Sequence, residues 1–263
     1  MQRNTRSFSC TLARWKRSVG GGVGIGLLAV FAYIGLLQLA PTPAYAQAGT
    51  VYYVSPDGDD TNDGLSWATA FANLQTALAV ASDGAEIWVA AGTYYPDEGT
   101  GQVDNVRSST FALIDGVAIY GGFAGDEALR SERDPATNGT ILSGDLDQSG
   151  DITANDAYHV VSSNNNTVDT VLDGFTITGG NADATDPNNR GGGIFTQNSS
   201  TATFTNVTIS GNVARDGGGI YNDNSNPTFT NVAITGNTAQ ASGGGIYNVN
   251  GSSPTFTNVT ISG

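Results

Sequence analysis

Phe204-Thr205-Asn206-Val207-Thr208-Ile209-Ser210-Gly211-Asn212 returns as Phe229-Thr230-Asn231-Val232-Ala233-Ile234-Thr235-Gly236-Asn237, and again from Phe256 to Gly263. The copies lie 25 and 27 residues apart. Between them runs a second motif, Gly-Gly-Gly-Ile, at 191–194, 217–220 and 243–246, with spacings of 26 and 26. Separate motifs that keep one period indicate a solenoid. The repeats are rich in Thr, Ile, Val, Phe, Asn and Gly, and none shows the 3.6-residue apolar period of a helix. Short runs bounded by Gly or Asn read as strand plus turn. Each repeat is therefore expected to be one β-coil, stacked on the next at about 4.8 Å.

The alternation within a coil breaks at one place. If Phe204 points inward, strict alternation puts Asn206 inside and turns Val207 and Ile209 to solvent. A bend at Asn206 restores both apolar residues to the interior, and asparagine tolerates the left-handed backbone such a corner needs. The spacing predicts a ladder of Asn206, Asn231 and Asn258, each amide bonding the next coil. A second column would hold Phe204, Phe229 and Phe256, and a third the isoleucines. Asn206-Val207-Thr208 also matches a glycosylation sequon, but a corner asparagine bonded to its neighbour is a poor acceptor, so the reading is structural.

Upstream the pattern loosens. Val171–Asn181 is a degenerate copy, and Glu86–Ala91, Phe111–Tyr120, Thr140–Ser143 and Tyr158–Ser162 read as strands. One helical pattern stands out at Phe71–Ala81, with Phe71, Leu74, Leu78 and Ala81 on one face. A lone amphipathic helix before a solenoid is expected to cover the open edge of its first coil. The expected class is thus all-β, a right-handed parallel β-helix with an N-terminal capping helix. The expected organisation is a targeting segment (1–46), a cap with first coils (47–110), irregular coils with an acidic loop (111–190) and regular repeats (191–263). The last repeat stops where an Asn should follow, which is expected of a fragment of a longer chain.

The first 46 residues carry five bases (Arg3, Arg6, Arg14, Lys16 and Arg17) and no acid, then an apolar run from Val19 to Ala40 and Ala44-Tyr45-Ala46. A basic start, an apolar middle and a small-residue site describe a secretory signal peptide, with cleavage before Gln47. Beyond it lie all 24 acidic residues but only five arginines and no lysine, a formal charge of −19. Such a surface repels nucleic acid and anionic lipid and attracts divalent cations. The sole cysteine, Cys10, lies in the first segment, so the exported part can form no disulfide and no thiolate metal site.

With these motifs the chain resembles the pectate-lyase-like β-helix superfamily. It is similar, more narrowly, to bacterial surface proteins with polymorphic-outer-membrane-protein repeats. Those pair Gly-Gly-Ala-Ile with Phe-x-x-Asn; here the motifs are Gly-Gly-Gly-Ile and Ile-x-Gly-Asn, at Ile209–Asn212 and Ile234–Asn237. The stretch from Val51-Tyr52-Tyr53-Val54 through Gly92-Thr93-Tyr94 is similar to the opening cap of secreted β-helix proteins. The resemblance implies the fold and an exported protein of the cell surface or outer membrane. It leaves function open, because the scaffold carries lyases, hydrolases and adhesins.

The best chemical motif is Asp145-Leu146-Asp147-Gln148-Ser149-Gly150-Asp151-Ile152-Thr153-Ala154-Asn155-Asp156. It follows the calcium-loop template, with Asp145, Asp147, Ser149, Asp151 and Asp156 as candidate ligands and Gly150 at the sharp turn. A weaker candidate is the loop of Asp57, Asp59 and Asp63. No catalytic residue is assigned. The resemblance implies that a lyase would use a Lys or Arg base beside calcium-binding carboxylates. Here lysine is missing from the exported part, and Arg130 and Arg133 lie in a charged loop (127–134) where mutual pairing is expected. Arg190 and Arg215 each precede a Gly-Gly-Gly motif and are expected to be near neighbours on one face. His159, in an apolar run, reads as structural. Tyr221 and Tyr247 are expected to be exposed and stacked one coil apart, where an aromatic column can contact a sugar face. The function expected first is a noncatalytic surface or secreted stalk or adhesin, with Ca²⁺ as cofactor and an extracellular glycan or neighbouring cell as partner. The alternatives are a polysaccharide lyase or glycoside hydrolase, and a carbohydrate-binding module.

Overall fold

The computed structural model describes residues 49–263; the signal-peptide reading of residues 1–46 lies outside them. The described chain winds as a right-handed parallel β-helix, with every strand pairing parallel. Four faces form each full coil. Face A stacks Val51–Val54, Glu86–Ala90, Ala118–Phe123, Val171–Asp173 and Thr203–Thr205, then the first halves of Thr228–Thr235 and Thr255–Ser262. Face B stacks Gly92–Tyr94, Thr140–Ser143, Thr176–Thr178 and Thr208–Ser210, then the second halves of those same two long strands. Face C is Asn181–Ala182, Val213–Asp216 and Thr238–Ser242. Face D is Phe111–Ala112, Val161–Asn164, Ile194–Gln197, Ile220–Asp223 and Ile246–Val249.

The corner between faces A and B sits at the asparagines. Asn206, Asn231 and Asn258 have φ of 51°, 56° and 53°, the left-handed region that costs most residues about 1–2 kcal/mol. Phe204, Val207 and Ile209 are all buried while Asn206 is exposed. Asn258 Nδ2 donates to Asn231 Oδ1 at 2.8 Å, and Asn231 Nδ2 to Asn206 Oδ1 at 3.1 Å. Inside, the phenyl rings of Phe204 and Phe229 stack at 5.1 Å and those of Phe229 and Phe256 at 5.4 Å.

The asparagine that closes Ile-x-Gly-Asn builds a second, interior ladder. Asn212 is fully buried; its Nδ2 donates to Asn237 Oδ1 at 3.0 Å and its Oδ1 accepts the N–H of Gly180. This explains the neighbouring Gly-Gly-Gly. The first glycine turns with positive φ (60°, 68° and 64° at Gly191, Gly217 and Gly243). At the third, a Cβ on Gly193 would meet Gly219 O at 2.6 Å and Asn212 Nδ2 at 2.9 Å, so a side chain there would push coils apart.

The helix spans Leu74–Val80, three residues shorter at its start than the apolar period suggests. Phe71 is instead held extended: its N–H donates to Tyr53 O, its carbonyl accepts from Ser55, and it bridges Val54. Asp60 then takes the N–H groups of Ala72 and Asn73. Leu74, Ala77 and Leu78 face the core beside Val54 and Phe111, so the helix caps the first coil. Phe111–Tyr120 is not one strand: it divides into Phe111–Ala112 and Ala118–Phe123 around a turn at Gly116 (φ 70°). The strand expected at Tyr158–Ser162 runs Val161–Asn164. Among the described residues no helix is long and apolar enough to cross a membrane.

Replacing Asn231 separates the cost of the corner from that of the ladder. Asn231→Ala loses the left-handed preference and both side-chain bonds, an expected destabilisation of about 2–3 kcal/mol. Asn231→Gly, which keeps the backbone freedom, should lose only about 1 kcal/mol. Urea unfolding of the two variants checks the order.

Candidate functional site

The loop after Ser143 leaves face B and returns at Ala157. Both ends are pinned: Gly144 N donates to Thr178 O, and Ala157 N to Gly144 O. Leu146 and Ala157 are buried, so the loop is anchored by apolar side chains near each end while its middle is exposed. Arg107 clamps the base, with Nε on Asp156 O at 2.6 Å and Nη2 on Asn181 O and Asp183 Oδ1. That arginine contacts the backbone oxygen of Asp156 and leaves its carboxylate to the loop.

Within the loop the structure gathers Asp145, Asp147 and Asp156, with one carboxylate oxygen from each lying within 4.8 Å of the others. Two oxygens bound to one calcium at about 2.4 Å can be no farther apart than about 4.8 Å. Gly150 (φ 81°) makes the turn that brings Asp145 and Asp156 together. Asp145 accepts the N–H groups of Ser149 and Gly150, Asp147 the Asn155 amide at 2.9 Å, and Asp156 the N–H of Thr153 at 2.7 Å. Ser149 Oγ reaches Asp145 and the main-chain oxygen of Asp151. The Asp151 carboxylate is not in the gathered set; its backbone carbonyl accepts from Ser149 Oγ at 3.3 Å. No helix flanks the loop on either side, so it keeps the spacing of a calcium loop without the EF-hand's frame.

The electrostatics are those of crowded carboxylates. Hydrogen bonds from the Asn155 and Ser149 side chains hold Asp147 down at about 2. Burial, reinforced by Asp145 and Asp147, pushes Asp156 up to about 6 against partial relief from Thr153. Asp156 is wholly buried, and a divalent cation held there would supply positive charge to the crowded carboxylates.

The other expectations fare differently. Asp57, Asp59 and Asp63 are not brought together; among the described residues the 145–156 loop alone gathers three such ligands. Asp59 is occupied by Thr61 and Asp63 by Leu65 and Thr69, because Asp side chains in this spacing bond the backbone two residues on. Arg130 and Arg133 do not pair within their own loop. Arg130 binds Glu86 at 2.6 Å and Arg133 binds Asp173 at 2.6 Å, because the loop folds back over face A. Asp173 takes the last rung of the outer ladder, accepting Asn206 Nδ2 at 2.9 Å. Tyr221 is not exposed. At 4% exposure it is covered by Arg190, 5.2 Å above its ring. It lies in a column of His159, Phe195, Tyr221 and the half-buried Tyr247, so the pair offers no open aromatic shelf. His159 Nδ1 faces Gly191 O at 3.0 Å, and a carbonyl can only accept, so Nδ1 carries the proton. Burial lowers its pKa below the usual imidazole range. Arg190 pairs with Asp186 and Asp223, and Arg215 with Asp216; the backbone bridge from Arg190 to Asp216 sets them on neighbouring coils.

A further feature was not visible in the motifs. The loop 126–139 overhangs the outer corner and encloses a groove of about 640 Å³, lined by Arg130, Arg133, Asp134, Thr208 and the ladder residues Asn206 and Asn231.

A family model matches residues 56–261, and its description is a protein of unknown function, DUF1565. The chain belongs to that family. No curated protein sequence matches it. Among solved structures it is similar to the crystal structure of pectate lyase Pel9A, with a TM-score of 0.51 and 17% identity over 80% of this chain and 46% of that one. A rhamnogalacturonan lyase aligns at a TM-score of 0.38 and 15% identity, over 80% of this chain and 51% of that one. The first likeness shows the pectate-lyase-like β-helix fold. The chain spans about half the length of these two proteins or less.

The Asp156 shift sets a pH dependence whose sign can be tested. Its pKa is about 6 in the folded state against 3.8 ordinarily, so folding favours the protonated form. That contribution is complete below pH 3.8 and is lost as pH rises through 6. In EDTA, the wild type should lose stability relative to Asp156→Asn between pH 4 and pH 7, as denaturant midpoints will show. Excess calcium should abolish that loss in the wild type alone.

Proposed function

We propose that this is an exported, noncatalytic β-helix protein of the cell surface or surroundings, an adhesin-like stalk, with calcium held by Asp145, Asp147 and Asp156. The observation that carries this reading is where the repeated polar side chains go. Asn206, Asn231 and Asn258 bond one another, as do Asn212 and Asn237, and Asn222 bonds Thr196 and Asn248. A column whose recurrent side chains are consumed in intercoil bonds is built for length and rigidity. The basic residues support the same reading: each of the five arginines among the described residues already has a carboxylate partner. Arg133 is tied to Asp173 and to two main-chain oxygens. A guanidinium so engaged is a structural cation.

Calcium would be held by Asp145, Asp147 and Asp156, with Ser149 and the Asp151 carbonyl completing an oxygen set; it supplies charge neutralisation and cross-links the two ends of the loop. The −19 formal charge outside the targeting segment favours uptake of a divalent cation over binding of a polyanion.

One observation favours a second reading, carbohydrate contact. The groove beside the ladder offers Arg130, Asn206, Asn231 and Thr208 across two neighbouring coils, a polar strip that a saccharide could contact. The pectate lyase likeness would add turnover to such contact; the engaged arginines argue for binding alone.

Calorimetric titration with Ca²⁺ is expected to give a binding isotherm in the wild type and none at this loop in the Asp145→Asn/Asp147→Asn variant, with the melting temperature raised by calcium only in the former. Incubation with pectate or alginate and Ca²⁺ should release no unsaturated uronate product by ultraviolet absorbance. Product formation overturns the noncatalytic reading, while retention on a glycan array without turnover selects the second.

A further inference from the structure

The outer side of face A carries a residue that recurs without serving the coil. In Thr203-Phe204-Thr205, Thr228-Phe229-Thr230 and Thr255-Phe256-Thr257 the phenylalanines stack on the core side, so strand alternation turns both threonines of each copy outward. The pairing keeps register: Thr203 lies beside Thr228 and Thr228 beside Thr255, as do Thr205, Thr230 and Thr257. The phenyl rings beneath lie within 13° and 15° of parallel. Successive coils are therefore stacked with little rotation, and the six threonines share one nearly flat surface. Thr203 Oγ1 donates to Val168 O at 3.1 Å; among the described residues none of the other five hydroxyls bonds a protein group. The recurrent Asn, Phe, Ile and Gly are consumed between coils, but these hydroxyls are not. No charged side chain stands in the two columns over these coils, on a chain with 24 acids. The groove under loop 126–139 is lined at the corner and on face B, by Asn206, Asn231 and Thr208, and leaves the columns open. Upstream the array ends at Asp173, the partner of Thr205.

We propose that this threonine array binds ice, its hydroxyls and methyls matching the oxygen lattice of a crystal surface. The ligand class follows from the spacing. Threonines one coil apart are separated by about 4.8 Å, and the two threonines of one strand by about 6.6 Å. In tetrahedrally bonded water with O···O of about 2.75 Å, second-neighbour oxygens lie about 4.5 Å apart and the hexagonal axis repeats at about 7.3 Å. Both mismatches are about a tenth or less. Over three coils the first accumulates to only about 0.6 Å, comparable to the spread of hydrogen-bond lengths. The residue type fits as well. A threonine hydroxyl both donates and accepts, and its methyl gains by leaving liquid water. Its branched Cβ is stiff at χ1, so little rotamer freedom is lost on contact. A small soluble ligand fits less well, because the array has no concavity, no aromatic face for a sugar and no charge for an ionic group. Ice binding here needs neither calcium at 145–156 nor the groove.

Uptake of the purified chain into a slowly grown ice hemisphere, beside a globular protein that ice excludes, tests this, with inhibition of ice recrystallisation as a second signal. The wild type should be enriched in the ice and should keep recrystallising grains small. Thr230→Tyr raises a ring above the centre of the array and should cut uptake to about a tenth. Gln240→Tyr, at an exposed position of face C, should leave it unchanged. Asp145→Asn/Asp147→Asn should retain it too, so failure of the calcium reading and failure of this one are told apart. Circular dichroism checks the fold of each variant. Thr257→Tyr, on the exposed last coil, takes the place of Thr230→Tyr if that variant does not fold. A wild type excluded from ice would overturn the proposal, as would a folded Thr230→Tyr or Thr257→Tyr taken up as fully as the wild type. Retention on crystalline cellulose, lost in Thr230→Tyr and without any uptake into ice, would also overturn it and make the array a polysaccharide surface.

Discussion

Each coil of this protein must lie on the one beneath it at the spacing of a parallel β-ladder, about 4.8 Å, and must turn its corners in the same places. A side chain at one level therefore meets its counterpart at the next, and whatever occupies a corner must satisfy the polar groups left over there. Asparagine meets both demands at the turn between faces A and B. It accepts a positive φ, and its amide has a donor and an acceptor on opposite sides, so a stack of asparagines saturates itself. The phenyl stack within and the Gly-Gly-Gly turns depend on that register. Rings 5.1–5.4 Å apart and glycines with no room for a Cβ tolerate little slippage between coils.

The ladder has to end somewhere, and its end shows how the regular and irregular parts join. At the fourth rung asparagine gives way to Asp173, one residue earlier in the coil, while Gly174 (φ 88°) takes over the turn. The aspartate still accepts the bond from Asn206 but has no hydrogen to pass on. Its other oxygen receives Arg133 instead, which brings the loop 126–139 down over face A and forms the groove. A single change from amide to acid thus converts a repeating contact into a docking point for a non-repeating loop.

The same division explains where chemistry can reside. The recurrent Phe, Asn, Ile and Gly are used in building coils, and the acids collect on the excursions that the coils allow. The loop 145–156 and the excursion from Tyr95 to Asn105 both leave the solenoid after face B and meet through Glu98 and Gln148. Like charges crowded on one side repel, and the arginines of the described residues are engaged with other carboxylates. Those arginines are spent on joints: Arg107 under Asp156, Arg133 on the ladder's end, Arg190 over Tyr221.

The repeat, its corners and its inward columns were legible in the sequence because they rest on local rules: alternation of two, the left-handed tolerance of Asn, and a period that repeats them. The convergence of Asp145, Asp147 and Asp156 was legible for the same reason, since a calcium-type loop closes over a dozen residues. What the sequence by itself could not determine is anything settled between coils or outside the period. The partners of Arg130 and Arg133 are distant in sequence but lie one or two coils away in space. Tyr221 looks exposed by its motif, yet Arg190 from the previous coil covers it. Asp97 appears as one acid among many until its burial, without a partner for Oδ1, sets it apart. Residue spacing encodes a coil; only stacking decides which loops lie over it, because a β-helix places residues some 25 positions apart in direct contact.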